Sequence, residues 1–251
     1  MKLNKKQIIV MGIIGLSIVV TIVLIVNLAS SLKQYKEAEK EYTEVVNSAV
    51  VEERNVQSGV KYSTEAKLLN VSTVQSDDTS STVTMEAGKI PNITIDFDEL
   101  LSVNKDCIGW IYVPDTRINY PIVQSHDNID YVKSTFSGNE NKSGAIFSDC
   151  RIVSPFSQKT IIYGHNMKNG TMFHDLLEIE ADDSIKDIWV FTVSGHIYHY
   201  TVKEVIRTDM LDKKVYSVKA EYSDELVLST CIANKDRLVV IAERDWYKFN
   251  G

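Results

Sequence analysis

The sequence predicts a mainly β domain, a closed barrel or a sandwich, behind an N-terminal membrane helix. Past Pro91, about eight short apolar runs are separated by Gly, Asn, Asp and Pro, which is typical of small barrels and sandwiches. Residues 8–26 form one uncharged run of nineteen residues that is rich in Ile and Val. The chain of 251 residues has room for one domain of ordinary size plus such additional segments.

The uncharged run predicts a membrane anchor. Nineteen helical residues at about 1.5 Å each span roughly 28 Å, which is the thickness of the hydrocarbon core of a bilayer. A cleavable signal peptide is the alternative, because residues 28–31 (LASS) are small beyond the run. The apolar region of a signal peptide is normally about 7–15 residues long, which favours an uncleaved anchor.

The lysines before the run predict its orientation. Lys2, Lys5 and Lys6 precede it, and the positive-inside rule places them in the cytoplasm. We therefore expect a cytoplasmic tail at 1–7, a single-pass anchor in the cell membrane at 8–28, and the rest of the chain outside the cell.

Residues 29–90 are expected to form an extracellular helical stalk and a linker. Between residues 32 and 54, five apolar positions recur at spacings of three and four, as in a heptad stripe (Tyr35, Ala38, Tyr42, Val45 and Ala49). Two heptads are fewer than a coiled coil needs, so we expect a helix that packs on its own domain or props it off the membrane, with self-association as the alternative. Residues 72–81 are polar and predict a linker.

The remainder, 91–251, is the predicted catalytic domain. A short helix is expected at Asp96–Val103, with Asp96 as its cap, and further helix only around 129–135 and 171–186. Ser194-Gly195 indicates a hairpin. The expected strands are 107–113, 117–124, 144–149, 159–165, 187–194, 196–207, 225–231 and 237–244.

Composition and cysteine usage exclude some function classes. With 27 basic and 34 acidic residues the net charge is −7, so nothing indicates nucleic acid as a partner. The three cysteines leave at least one unpaired. Cys107 and Cys150 lie in apolar runs and are expected to be small buried residues, although a disulfide between them is possible. The Cys and His spacings of zinc sites are missing from the sequence, which disfavours zinc binding.

Three side chains at strand ends suggest acyl transfer through a thioester. Cys231 ends an apolar strand beside a hydrophilic turn, Arg237 opens the next strand, and His165 follows the 161–163 strand after Gly164. They would supply a nucleophile, a cation for a developing oxyanion and a proton carrier. Taken singly, the cysteine could be buried and structural, and the arginine a solvated surface charge.

The other arginine and histidines are weaker candidates. Arg244 lies seven residues beyond Arg237, which is some 23 Å along a strand and on the opposite face. His174 is interpreted as a surface or packing residue and His196 and His199 as structural, while His126 lies in a polar loop that indicates no particular role.

These residues occur in blocks that resemble the sortases of class B. The blocks are 163–173 (YGHNMKNGTMF), 228–231 (LSTC) and 237–240 (RLVV), with 109–111, 119–124, 127–128 and 144–147 upstream in the family's order. The resemblance covers about 95 to 245. It implies a membrane-anchored cysteine transpeptidase of Gram-positive bacteria, built on an eight-stranded β-barrel with a few short helices, without a cofactor or calcium site.

The resemblance also implies roles for individual residues. Cys231 would attack the bond after Thr in the C-terminal sorting signal of a surface protein, and an amine of a lipid-linked peptidoglycan precursor would resolve the thioester. His165 would protonate the leaving amine and deprotonate the incoming one, while Arg237 would hold the substrate and stabilise the oxyanion. Ser229 and Tyr163 match positions that line the family's substrate groove.

The sequence departs from the class B pattern in one segment. Class B members usually carry a long helix before the cysteine strand, whereas 208–225 is only eighteen residues here. The motif therefore stays open among Asn-Pro-x-Thr-x, Ser-Pro-x-Thr-x and Leu-Pro-x-Thr-x. The aromatic lid of pilin-building class C enzymes is missing from the sequence of 55–100, which favours wall anchoring over pilin polymerisation. Hydrolysis of the thioester by water and a non-catalytic binding module are the competing hypotheses.

Overall fold

The computed structural model describes residues 5–52, 90–218, 221, 223–233 and 236–249. It begins with one continuous helix, α1 (Lys5–Ala49), that passes through both the predicted anchor and the first part of the predicted stalk. A short strand, β1 (Val50–Glu52), follows and pairs antiparallel with β2 (Ile93–Ile95). The helix predicted up to about residue 54 thus ends earlier, because this pairing takes over the backbone. The predicted linker 72–81 lies outside the described residues.

Eight further strands close into a barrel, as the family resemblance implies. Their order is β10-β8-β7-β3-β4-β5-β6-β9. The pairs β4–β5 and β6–β9 are parallel and the other neighbours are antiparallel. The bounds are β3 (Cys107–Tyr112), β4 (Asn119–Val123), β5 (Ile146–Ser148), β6 (Thr160–Tyr163), β7 (Asp187–Thr192), β8 (His196–Asp209), β9 (Glu225–Ala233) and β10 (Asp236–Phe249).

The helices of the barrel domain are short. The helix α2 (Phe97–Val103) has the predicted cap, since Asp96 accepts a hydrogen bond from the Glu99 amide at 3.0 Å. The helix predicted over 171–186 is reduced to a 3₁₀ turn (Phe173–Asp175) and α3 (Leu176–Ala181), because Asp182 is extended and directs the chain toward β7. That predicted over 129–135 is one 3₁₀ turn, Asp130–Val132. The last helix is α4 (Lys213–Tyr216).

Side-chain alternation divides β6, β9 and β10 between two apolar clusters. Ile162, Leu228 and Val240 belong to the main core, which fills the barrel. Their sequence neighbours Ile161, Val227 and Val239 form a second cluster that Val215 of α4 covers. Because successive strand residues point to opposite faces, this second cluster lies on the outer face of the three strands.

The two halves of α1 have different surroundings. Side chains of the apolar run from Met11 to Val26 are exposed. Within the described residues, this helix is the one that is long and apolar enough to cross a membrane. The second half buries Ala38, Tyr42, Val45 and Ala49 in the main core, with Tyr35 packed beside them. The heptad stripe thus packs on its own domain, as the sequence predicts.

Candidate active site

His165 and Cys231 leave the barrel side by side because their strands run parallel. Tyr163 of β6 pairs with Ser229 of β9, and each functional residue lies two positions further along its strand. The ladder continues past the pair, since the Gly164 amide donates to the Ser229 carbonyl at 3.2 Å. Neighbouring strands are about 4.8 Å apart, so the imidazole and the thiol share one end and one face of the barrel.

Gly164 allows β6 to leave the barrel next to tightly packed side chains. A Cβ atom at this position would lie 2.5 Å from Ile146 Cδ1 and 2.7 Å from the Phe173 ring. Any side chain there would collide with these two core residues. The glycine before the histidine therefore lets the end of β6 pack against the core.

Arg237 lies directly opposite Cys231 in the antiparallel pair of β9 and β10. Residues opposed in this way have Cβ atoms about 4.5–5.5 Å apart. The Arg237 guanidinium donates to the Asp236 carbonyl at 3.2 Å and to Met210 Sδ at 3.9 Å. Among the described residues, its side chain forms no ion pair with a carboxylate, so its charge is available to a ligand.

His165, Cys231 and Arg237 therefore form one row across the adjacent strands β6, β9 and β10. They share the parity of the outer cluster, so the row lies on the outside of the barrel. Cys231 is exposed, while His165 and Arg237 are half-buried. The structure thus brings together the three residues that the sequence predicts as nucleophile, proton carrier and cation.

The imidazole of His165 is held by a backbone carbonyl. Its Nε2 atom lies 2.7 Å from the Val132 carbonyl oxygen. A carbonyl oxygen only accepts hydrogen bonds, so Nε2 carries the proton in this contact. In the neutral ring Nδ1 is then the free base and can exchange a proton with a reacting group.

A cleft of about 730 Å³ lies beside the row. Both residues predicted to line the substrate groove, Tyr163 and Ser229, contribute to its wall. The Tyr163 hydroxyl donates to Asp149 Oδ2 at 2.8 Å, and the Ser229 hydroxyl lies 2.8 Å from that of Tyr216. The cleft thus opens directly onto Cys231.

Part of the segment 208–225, namely residues 210–213, 216 and 217, lines another wall of this cleft. Its helical part in the described residues is the single turn α4, capped by Asp212. Met210 and Leu211 precede this turn, line the cleft and remain largely exposed. The wall is therefore apolar where a bound peptide would lie.

Asp149 and Arg151 line the same cleft and were missed by sequence reasoning. Arg151 holds the buried Asp149 carboxylate through Nε at 2.9 Å and Nη2 at 2.7 Å. Burial raises the pKa of Asp149, but the hydrogen bonds from Arg151 and Tyr163 outweigh it and lower that pKa to about 2. Two polar residues directly after the buried strand β5 are the signal that could have found them.

The other histidines lie outside the row. His174, His196 and His199 make contacts that agree with the packing and structural roles expected from the sequence, which indicates no role for His126. His174 Nδ1 lies 2.7 Å from Asn166 Oδ1, and the buried His199 lies between the carboxylates of Asp187 and Asp245. His196 stacks on Tyr198. His126 forms an exposed cluster with Asp127 and Asp130 that shares no residue with the row.

The three cysteines are all unpaired. Cys107 is buried as expected, and burial raises the pKa of its thiol to about 12. Cys150 is half-buried rather than buried, because it lies in the turn after β5 and not within the strand itself. Cys231 is the exposed one, and it alone of the three thiols lies in the row.

Known proteins are similar to this chain in sequence and in fold. The model of the Sortase domain matches residues 111–245. Sortase B of Listeria monocytogenes is 31% identical over 165 residues, which are 60% of this chain and 67% of that protein. Sortase B of Staphylococcus aureus is 30% identical over 164 residues, covering 59% of this chain and 64% of that protein.

Solved structures agree with the sequence matches. A Streptococcus pyogenes class B sortase involved in pilus biogenesis has a TM-score of 0.54 at 26% identity, covering 59% of this chain and 97% of its own. A Staphylococcus aureus sortase B–substrate complex has a TM-score of 0.53 at 26% identity, covering 62% and 85%.

A closed barrel with a cysteine, a histidine and an arginine in one row at its edge is the arrangement of a cysteine transpeptidase. The family model covers more than half of the chain, from 111 to 245. The chain therefore belongs to the sortase family, and its similarity is to class B members.

Proposed function

We propose that the protein anchors surface proteins to the cell wall by cutting a C-terminal sorting signal after Thr and joining the new carboxyl end to an amine. The observation that carries this proposal is the row of His165, Cys231 and Arg237 at the mouth of the cleft. The signal is of the Asn-Pro-x-Thr-x, Ser-Pro-x-Thr-x or Leu-Pro-x-Thr-x type. The acceptor is an amine of the peptidoglycan cross-bridge on a lipid-linked precursor.

In the first half-reaction Cys231 becomes acylated. Nδ1 of His165 takes the thiol proton, and the resulting thiolate sulfur attacks the carbonyl carbon of the Thr residue, so that a C–S bond forms and an electron pair moves onto the carbonyl oxygen. The Arg237 guanidinium, which cannot lose its proton, donates hydrogen bonds to this oxyanion. The oxyanion collapses, the C–N bond breaks, and His165 gives a proton to the leaving amine.

In the second half-reaction an amine resolves the thioester. The incoming amine attacks the thioester carbon and gives a proton to His165. A second oxyanion forms beside Arg237, and its collapse breaks the C–S bond and releases the Cys231 thiolate. A new amide is formed, and the imidazolium returns its proton to the thiolate, so that the neutral His165 and Cys231 are ready for another signal.

A pilin subunit is the second candidate acceptor. The structural likeness to the Streptococcus pyogenes class B sortase involved in pilus biogenesis favours it. The chemistry at Cys231 is the same, and only the amine differs, since a lysine side chain of the next pilin would replace the cross-bridge. Water as the acceptor would give a peptidase from the same thioester.

We further propose that the apolar half of α1 anchors the protein in the cell membrane. Lys2, Lys5 and Lys6 at its start are then on the cytoplasmic side, and the barrel lies outside the cell. Both reaction partners, a secreted protein and a lipid-linked precursor, are found at that outer surface.

The test uses the full chain in detergent micelles, because the second half of α1 packs on the barrel. The protein is mixed with quenched peptides of the three motif types, with and without triglycine or a lysine-containing peptide as amine, and examined by mass spectrometry. We expect an acyl adduct on Cys231 and an amide product when the correct amine is present.

The control is Cys231→Ala, which removes the nucleophile, beside Cys150→Ala, which removes a cysteine outside the row. We expect the first variant to form no adduct and the second to react as the unaltered protein does. A product that forms equally with Cys231→Ala, or a failure of every peptide to acylate the protein, would overturn the proposal. Adduct formation that leads only to free acid with all amines would indicate a peptidase.

A further inference from the structure

The ring of His165 is hydrogen-bonded to a loop, and this loop is hydrogen-bonded to the N-terminal helix α1. This loop, residues 131–145, runs from the 3₁₀ turn after β4 to the start of β5. We propose that α1 positions His165: through Tyr42 and Glu41 it fixes the loop whose Val132 carbonyl sets the orientation and the tautomer of the imidazole. This inference rests on the proposed function for the role of His165 as proton carrier.

The loop contacts the imidazole in two places. The Val132 carbonyl accepts the Nε2 proton at 2.7 Å. Gly144, at the other end of the loop, has a φ of +59°, and a Cβ on it would lie 2.9 Å from the Val132 oxygen and 3.0 Å from His165 Cδ2. The glycine therefore lies against both the ring and the carbonyl that orients it.

Tyr42 of α1 holds this end of the loop. Its buried hydroxyl donates to the Gly144 carbonyl at 2.7 Å and accepts from the Phe136 amide at 3.2 Å. The path from α1 to the imidazole therefore consists of one hydrogen bond and the close approach of Gly144 to the ring. The Tyr42 ring also packs edge-on against Tyr120 of β4, with the ring centroids 5.4 Å apart. This packing fixes the direction of the Tyr42 hydroxyl.

Glu41 holds the middle of the loop. Its carboxylate accepts from the Thr135 hydroxyl at 2.8 Å, from the Ser137 amide at 3.0 Å and from the Asn139 side-chain amide at 3.3 Å. About two turns earlier on the helix, the Gln34 carbonyl accepts from the Asn141 side chain at 2.9 Å. Several loop groups thus bond to one face of α1.

The chemical need for such positioning follows from how the ring is bound. In the described part of the chain, Val132 O is the single hydrogen-bond partner of the imidazole, and no carboxylate bonds to it. In a catalytic triad the third group holds the correct tautomer of the histidine. Here a loop carbonyl does this, and a carbonyl is only as well placed as the loop that carries it.

The test compares Tyr42→Phe with Tyr35→Phe in the full chain in micelles. Both variants lose one hydroxyl from the same helix stripe, but Tyr35 makes no hydrogen bond to the loop. With a reactive sorting peptide, we expect Tyr42→Phe to lower kcat roughly ten-fold with KM unchanged, because small misplacements of a catalytic group are costly. Tyr35→Phe is expected to behave as the unaltered protein.

Nitrogen-15 spectra of the His165 ring give a readout that a purely structural role would not move. We expect the Nε2-protonated tautomer in the unaltered protein and in Tyr35→Phe, and a mixture of tautomers in Tyr42→Phe. The pair Glu41→Ala and Glu44→Ala repeats the comparison for the charged contacts, since Glu44 faces solvent and pairs with Lys40. Only Glu41→Ala should change the ring.

Identical His165 ring spectra and identical kcat in Tyr42→Phe and Tyr35→Phe would overturn the inference. A Tyr42→Phe variant with a lower melting temperature but an unchanged ring spectrum and an unchanged kcat would overturn it as well. If the unaltered protein forms no acyl adduct with any peptide, the proposed function fails. The ring spectra then still decide the inference, because they need no substrate: a tautomer change confined to Tyr42→Phe and Glu41→Ala supports it.

Discussion

Two arginines of the same strand, β10, have opposite environments. Arg237 lies at the cleft, opposite Cys231, and bonds only to a carbonyl and a thioether among the described residues. Arg244 is only 6% exposed and bonds to the Asp224 carboxylate and to the Phe156 carbonyl. It also lies over the rings of Tyr198 and Tyr247.

The comparison shows how a structural arginine differs from one that is available for chemistry. The protein bonds the guanidinium donors of the structural arginine and leaves those of the other open. Arg244 is fully engaged by the protein, so its charge stabilises the fold and has nothing left for a ligand. Arg237 keeps most of its donors open beside the thiol. An arginine that must bind a transient oxyanion has to be left without a carboxylate partner, because such a partner would neutralise it.

The largest effect is expected from Arg237→Lys. Loss of one oxyanion donor costs about 10²–10³ in rate, and an ammonium cannot reproduce the planar fork of a guanidinium. We expect acyl-enzyme formation from a sorting peptide to slow by that factor, with the melting temperature unchanged. Stopped-flow fluorescence of a quenched peptide measures the rate.

Arg244→Lys is the matched control for this rate. Its rate per folded molecule should equal that of the unaltered protein, because Arg244 lies far from Cys231. Similar rates for the two lysine variants would mean that the comparison between the arginines is wrong.

The second effect concerns the free energy of unfolding. Here replacement of Arg244 should have the larger effect and replacement of Arg237 the smaller one. Removing one partner of a buried ion pair costs about 3–5 kcal/mol. Because Asp224 is 39% exposed, we expect the lower end of that range for Arg244→Met, about 3 kcal/mol by chemical denaturation. Arg237→Met should change the free energy of unfolding by less than about 0.5 kcal/mol. Equal destabilisation by the two variants would contradict this.

Strand positions and the residues at strand ends could be predicted from the sequence. Most barrel strands were expected close to their observed bounds, because turn-forming residues separate the apolar runs. The last strand, expected at 237–244, continues to Phe249 because its pairing with β8 extends to His196. His165, Cys231 and Arg237 were found because a side chain at a strand end is marked by the change from apolar to polar residues. The closure of the barrel came from the family resemblance, since short strands alone fit a sandwich equally well.

The surroundings of the site could not be predicted in the same way. Val132 acts through its carbonyl, which every residue carries, so its identity holds no signal. Tyr42 contacts Gly144 across 102 residues, and its heptad position predicts burial but not the contact of its hydroxyl. Asp149 and Arg151 follow a strand as a polar pair, and only the fold shows that they face the cleft.

Arg151 shares features with both Arg237 and Arg244. The dependence of protein stability on acidic pH distinguishes it from the other two. Arg151 lines the cleft as Arg237 does, yet it is paired with a buried carboxylate as Arg244 is. The pKa of Asp149 is lowered from 3.8 to about 2 in the folded protein. A carboxyl with a depressed folded pKa stabilises the fold above its unfolded pKa, and this stability is lost as pH falls toward the folded value.

We therefore expect Asp149 to contribute on the order of 2 kcal/mol at neutral pH that disappears between pH 4 and pH 2. The measurement is the free energy of unfolding of the unaltered protein and of Asp149→Asn, by chemical denaturation from pH 7 downward. The difference in unfolding free energy between the two proteins should be constant above pH 5 and should narrow below pH 4. Protonated Asp149 is uncharged, as is the asparagine that replaces it in the variant. A difference that stays constant down to pH 3 would show that Arg151 is bound no more tightly than a surface arginine, and would place it with Arg237.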